Sequence, residues 1–175
     1  MQVGTLTTWE SATIGDYYSM AIKEDGTLWG WGNGILGGFG NGSSITVSSP
    51  VQIGALTDWA VVSIGLAHSV AIKTNGTLWS TGYNVQGQLG LGHTTGTNVF
   101  TQVGSLTNWA QVSCGSARTV ATKTDGTLWA FGSNGYGSLG DGTTTSRSSP
   151  VKIGSLTNWT VVSSGVYHTV AIQSI

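Results

Sequence analysis

The sequence predicts an all-β repeat protein built from β-propeller blades of about four antiparallel strands, and three observations carry the prediction. Trp9, Trp59, Trp109 and Trp159 recur at one fixed spacing, as do Gly15, Gly65, Gly115 and Gly165, with no insertion or deletion between them. Asp25-Gly26, Asn75-Gly76 and Asp125-Gly126 each separate two β-rich runs, the strongest short hairpin signal. No window of a dozen residues keeps a helical period while avoiding Gly and β-branched residues. The units are 1–50, 51–100, 101–150 and a half unit 151–175, taken together as a single repeat domain over 1–175.

Each element follows in order from the second unit. Ala60-Val61-Val62-Ser63-Ile64 is β-rich and ends at Gly65. His68 to Lys73 alternates, placing Val70 and Ile72 on one face and Ser69, Ala71 and Lys73 on the other. Asn75-Gly76 predicts a type I′ turn with positive φ at both residues. Thr77-Leu78-Trp79-Ser80-Thr81 is the third strand, and a Gly-rich loop follows it. The fourth strand is expected at Pro50–Ile53 and Pro150–Ile153, opened by proline on an outer edge where a missing N–H is tolerated. A lone blade cannot bury both faces, so blades must stack, and the repeated Leu, Trp and Val positions supply the shared core. Leu6-Thr7, Leu56-Thr57, Leu106-Thr107 and Leu156-Thr157 keep the same step.

Composition bounds the function. Charged residues are 7% of the chain and the formal net charge is −1, so polarity comes from Thr, Ser, Asn and Gly. No Lys/Arg stripe is present to displace counterions, which argues against duplex nucleic acid as a partner. The apolar runs are too short to span a bilayer, and Met1-Gln2-Val3-Gly4 lacks the start of a signal peptide. Cys114 is the only cysteine, so no intrachain disulfide can form. A charge-poor, disulfide-free, Thr/Ser-rich chain suits an extracellular or virion surface.

The run from Gly65 through His68-Ser69-Val70-Ala71-Ile72-Lys73 and Asn75-Gly76-Thr77-Leu78-Trp79 to Gly82, followed by Gly87-Gln88-Leu89-Gly90-Leu91-Gly92, resembles the repeats of the regulator of chromosome condensation family. The third unit matches from Gly115 to Gly132 and from Gly137 to Gly142, and the resemblance covers essentially the whole chain. It implies a β-propeller, usually seven-bladed, that binds on its faces; members include a guanine-nucleotide exchange factor for a small GTPase and bacterial inhibitors of β-lactamase. Three and a half units depart from that pattern. An open arc, a self-assembled ring or filament, and a piece of a longer protein are all open at this point.

Comparison among the units separates scaffold from variable surface. Gly15, Ala21, Gly26, Leu28, Trp29, Gly32, Gly37, Gly40 and Gly42 hold their phase in every unit that reaches them. Three stretches vary: Asp16-Tyr17-Tyr18, Leu66-Ala67-His68, Ser116-Ala117-Arg118 and Val166-Tyr167-His168; then Asn33 to Leu36, Tyr83 to Gln86 and Ser133 to Tyr136; then Ser43–Ser49, His93–Val99 and Thr143–Ser149. Such loops gather on propeller faces and carry binding. The candidate partner-binding residues are therefore Asp16, Tyr17, Tyr18, Leu66, His68, Tyr83, Gln86, Arg118, Tyr136, Tyr167 and His168, amphipathic types enriched at interfaces.

No catalytic, cofactor or metal constellation is expected. His68 and His168 share a phase two blades apart with Arg118 between them, which does not suit ligation of one ion. Cys114 has no activating His on its strand, and Asp16, Glu24, Asp25, Asp58, Asp125 and Asp141 are dispersed. Gly37 to Gly42 lacks the helix start of a phosphate loop. The expected function is a non-enzymatic scaffold that binds protein partners through variable loops and self-associates through open blade ends, as part of a virion or extracellular assembly. The alternative is a regulator of a partner enzyme, either an inhibitor or a protein resembling a small-GTPase exchange factor.

Overall fold

The computed structural model describes residues 8–34 and 36–174, so the Leu6-Thr7 step, the Met1–Gly4 start, Ile35 and Ile175 lie outside the described residues. Three four-stranded antiparallel sheets are followed by a two-stranded one, in strict chain order. Blade 1 is β1 (Trp9–Ile14), β2 (Tyr18–Lys23), β3 (Leu28–Asn33) and β4 (Thr46–Gln52). Blade 2 is β5 (Trp59–Ile64), β6 (His68–Lys73), β7 (Leu78–Gly82) and β8 (Thr97–Gln102). Blade 3 is β9 (Trp109–Cys114), β10 (Arg118–Lys123), β11 (Leu128–Gly132) and β12 (Arg147–Lys152). The half blade is β13 (Trp159–Ser164) and β14 (Thr169–Gln173). The first strands β1, β5, β9 and β13 adjoin one another, so the sheets radiate as an incomplete propeller of three and a half blades.

The core lies between blades. Met20, Ile22, Leu28, Phe39 and Ile53 of blade 1 close on Trp59, Ile64 and Ala71 of blade 2. Val70, Ile72, Leu78 and Val103 then close on Trp109, Val112, Cys114 and Ala121, and Val120, Leu128, Leu139 and Ile153 on Val162 with Trp159. Blades 2 and 3 are thus covered on both faces. The alternation expected of His68–Lys73 marks two different buried faces, and all six residues of β6 are buried. Even Lys73 is buried, its ammonium 5.0 Å from the Trp59 ring centroid, 4.6 Å from that of Trp79 and 3.2 Å from Asp58 Oδ2. Two aromatic faces and a carboxylate offset the desolvation of that charge.

The turn between second and third strands corrects the type I′ expectation. Positive φ occurs at Gly26, Gly76 and Gly126 but not at Asp25, Asn75 or Asp125. Gly76 N donates to Lys73 O at 2.8 Å and Lys73 N to Thr77 O at 3.0 Å, a three-residue loop whose glycine takes the left-handed position. The Asn-Gly-Thr-Leu-Trp run now has a physical reason. Thr77 N and Oγ1 donate to Asn75 Oδ1 at 3.1 and 2.7 Å, and Trp79 Nε1 donates to Thr77 Oγ1 at 2.8 Å. The same relay recurs through Asp25-Thr27-Trp29 and Asp125-Thr127-Trp129. A Cβ on Gly76 would fall 2.1 Å from Thr107 O, so glycine also admits the next blade.

The prolines do not open the outer strands. β4 begins at Thr46 and β12 at Arg147, ahead of Pro50 and Pro150. The pairing steps from Gly30↔Val51 to Gly32↔Val47, so Pro50 sits in an irregular stretch of an outer edge strand where no ladder N–H is needed. Part of the third variable stretch is consequently strand.

Candidate partner-binding face

The first two variable stretches meet at one end of each blade. Asn33 N donates to Tyr17 O at 2.9 Å, Tyr83 N to Ala67 O at 2.8 Å and Ser133 N to Ala117 O at 2.8 Å. Each short loop between first and second strands is thereby tied to the start of the loop after the third strand. A buried asparagine organises that second loop. Asn84 Oδ1 accepts from Leu89 N at 2.9 Å while its Nδ2 donates to His93 O and Thr95 O at 3.0 and 2.9 Å. Asn134 repeats this in unit three and adds Asp141 Oδ1 at 3.0 Å. Hydrogen bonds from Thr143 and the Arg147 guanidinium hold the Asp141 carboxyl down at about 2. Unit one has Gly34 at the corresponding place.

This end exposes an uncharged aromatic and aliphatic band. Tyr17, Leu36, Tyr83, Val85, Tyr136, Val166 and Tyr167 are all exposed, Tyr136 at 83%. Tyr136 and Tyr167 stack edge to face at 5.8 Å across the last junction. A groove of about 370 Å³ between blades 1 and 2 is lined by Tyr17, Tyr18, Asn33, Leu36, Leu66 and Ala67. Asp16 and Gln86 lie exposed beside these groups and Leu66 is half-buried, with Gln86 Oε1 accepting from Ser146 Oγ at 3.3 Å. Leu36, Val85 and Val166 join this band beyond the candidates that the sequence suggests. Their signal was an aliphatic side chain in a loop that no strand pattern buries.

Tyr18, His68 and Arg118 require correction, because the structure buries them between blades instead of displaying them. Tyr18 OH pairs with Ser69 Oγ at 2.8 Å, His68 Nε2 with Thr119 Oγ1 at 3.2 Å, and Arg118 Nε donates to Thr169 Oγ1 at 3.3 Å. Each hydroxyl also donates back to the preceding blade, to Gly38 O, Gln88 O and Ser138 O at 2.7, 2.9 and 3.0 Å. Arg118 further donates to Val166 O at 3.0 Å, Gly165 O at 2.8 Å and His168 O. One phase thus clasps every junction. The signal was next door: Ser19, Ser69, Thr119 and Thr169 always carry a hydroxyl. Burial raises the Tyr18 phenol above its usual range and holds the His68 imidazole down at about 4, so both stay neutral. His168, at the same phase with no described blade beyond it, is exposed.

Among the described residues no three His, Cys, Asp or Glu side chains gather as a metal site. Burial pushes the Cys114 thiol up to about 12, where it is inert at neutral pH. No described helix is long and apolar enough to cross a membrane.

Comparison with known proteins follows the same lines. Residues 25–72, 75–122 and 125–172 match the Regulator of chromosome condensation (RCC1) repeat, and 60–88 and 109–138 match a second model of that repeat. Each of the first three stretches joins the outer half of one blade to the inner half of the next, whereas 60–88 and 109–138 lie within blades 2 and 3. Among solved structures, human WBSCR16 shares 21% identity at a TM-score of 0.84, covering 95% of this chain and 45% of that one. Prp20p from Saccharomyces cerevisiae, described with its binding to Gsp1p and histones, shares 19% at 0.85, covering 95% and 44%. Yeast RCC1 (Prp20) bound to Kap60 shares 19% at 0.84, covering 98% and 43%. The chain therefore spans under half the length of these structures. No curated protein sequence matches it.

Proposed function

This chain belongs to the regulator of chromosome condensation repeat family, and from that premise we propose that it is a non-enzymatic scaffold binding a protein partner through its variable loop ends. The observation that carries this is the uncharged band of Tyr17, Leu36, Tyr83, Val85, Tyr136 and Tyr167, exposed on loops that rigid blades hold in place. Exposed tyrosines supply large contact area at little entropic cost, and exposed apolar patches with a polar rim, here Asp16 and Gln86, mark interaction sites. Structural similarity to Prp20p, described as binding Gsp1p and histones, supports a protein partner over a small substrate. The 7% charge and the Thr/Ser-rich surface support a place in a larger extracellular or virion assembly.

The test is affinity capture with the 175-residue chain, identification of the retained protein, and titration of that purified protein. Tyr83→Ala with Tyr136→Ala is expected to weaken binding at least about tenfold at unchanged melting temperature. Unchanged affinity in that double variant would remove the loop face as the binding site. A captured enzyme whose turnover changes on binding would favour the regulator reading.

A further inference from the structure

We propose that the outer groove between blades 2 and 3 takes a phenylalanine side chain from a partner polypeptide. The inference is separate from the loop-face reading, since it uses different residues, beside the outer strands.

The first observation is a difference between two junctions built from the same phases. Between blades 1 and 2, Phe100 of the outer strand β8 packs on the junction core. Its ring lies 4.9 Å from that of Trp59, tilted by 48°. It also reaches blade 1, because a Cβ built on Gly40 would fall 2.5 Å from Phe100 Cδ2. Between blades 2 and 3 the same phase holds Pro150. The fully buried Phe131 meets Gly90 there, its Cε2 2.8 Å from a Cβ built on that glycine. Trp59 has two aromatic neighbours, Trp79 and Phe100, whereas Trp109 pairs with Trp129 alone among the described residues.

The second observation is the space beside Pro150. A groove of about 310 Å³ is lined by Leu91, Val103, Leu106, Trp109, Trp129 and Pro150. That volume is at the lower end for ligand sites and suits one ring with its backbone. None of these side chains is charged, so burying a charged occupant among them would be costly. Lys123 Nζ stands 3.6 Å from the Trp129 ring centroid, and Lys73 stands over Trp59 and Trp79 in the same way beside Phe100. That cation is thus compatible with a phenyl ring next to it. Both walls belong to blades with described strands on either side. Blade 2 identifies the occupant, since at this phase it carries a phenylalanine on an extended strand. A partner's ring in the groove would give Trp109 the second aromatic neighbour that Trp59 has, an attraction beyond the area buried.

N-acetyl-phenylalaninamide is the probe, because it carries the ring on a capped, uncharged backbone. Its titration is followed by NMR on the indole N–H signals of the 175-residue chain. Those of Trp109 and Trp129 are expected to shift saturably with a Kd of about 1–10 mM, while those of Trp59 and Trp79 stay in place. N-acetyl-leucinamide should bind at least about fivefold more weakly. Pro150→Phe gives blade 3 the residue of blade 2. It should fill the groove and weaken the probe at least about tenfold without lowering the melting temperature. Pro150→Ala keeps the groove open and should keep the binding, which separates filling from loss of the proline. Leu106→Ala, at an exposed wall position, should weaken the probe about threefold and serves where Pro150→Phe perturbs the strand. Tyr83→Ala with Tyr136→Ala should leave the probe's affinity unchanged, so failure here and failure of the loop-face reading are told apart. No saturable shift up to the solubility limit, equal affinity for the leucine probe, or binding unaltered in both Pro150→Phe and Leu106→Ala would each overturn the proposal. Free phenylalanine binding more tightly than the capped probe would overturn the polypeptide as its source.

Discussion

Strands β6 and β14 are nearly the same sequence in two settings. His68-Ser69-Val70-Ala71-Ile72-Lys73 is buried throughout, whereas in His168-Thr169-Val170-Ala171-Ile172-Gln173 no residue is. Hairpin pairing does not differ, since Val62↔Ala71 and Val162↔Ala171 occupy the same register with their first strands. What differs is the surroundings: β6 also pairs with β7 and blade 2 is covered on both faces, whereas β14 pairs only with β13 and the half blade is covered on one face among the described residues. In a repeat array the interface, not the unit, carries most of the stability. The same side chain is therefore structural in one place and available in another.

The largest expected difference comes from a charge placed at matched positions. Val70→Asp puts a carboxylate where the side chain has no solvent contact and should cost more than about 4 kcal/mol in urea unfolding. Val170→Asp should stay within about 0.5 kcal/mol at concentrations where the chain is monomeric. Equal effects would break the comparison.

Acid gives the next contrast. His68 is neutral when folded because burial holds it at about 4, while the unfolded imidazole takes up its proton near 6.5. Stability from this group is present above pH 6.5 and is lost as pH falls toward 4, by roughly 3 kcal/mol in total. His68→Tyr, the residue found at Tyr18, should flatten that window. Asp141, held at about 2, adds its own loss only from about pH 5 downward, so the comparison is read above pH 5.

A smaller effect should divide the half blade from the rest. Arg118→Met removes the donors to Gly165 O, Val166 O and His168 O. Hydrogen exchange over 159–173 should quicken by about 2 kcal/mol in opening free energy, with little change over 59–82. Uniform quickening would show that the half blade opens only with the whole.

Much of the fold was legible because spacing and turn chemistry are local. The tryptophan and glycine phases, the strand order within a blade and the Gly76 turn all follow from short stretches. The Asn-Gly pair suggests positive φ at both residues, but Asn75 works through its side chain, bonding Thr77, and only Gly76 has positive φ. Pro50 suggests a strand start, because the irregular step opposite Gly30 and Gly32 that accommodates it inside β4 leaves no mark in the sequence. Tyr17, Tyr83, Tyr136 and Tyr167 fall in variable loops of the sequence and are exposed. Tyr18, His68 and Arg118 varied among units just as surface residues do, and only their distant hydroxyl partners explain them.

The sequence by itself determined the unit: its length, its strands, its glycines and the Asp/Asn-Thr-Trp relay, since each depends on atoms a few residues apart. The tertiary structure alone decided which face of each unit meets another. Tyr18–Ser69, His68–Thr119 and Arg118–Thr169 join groups about one repeat apart, and burial follows from whether a next blade is there. His68 and His168 are the same residue at the same phase, and the neighbouring blade makes one a neutral buried clasp and leaves the other facing solvent.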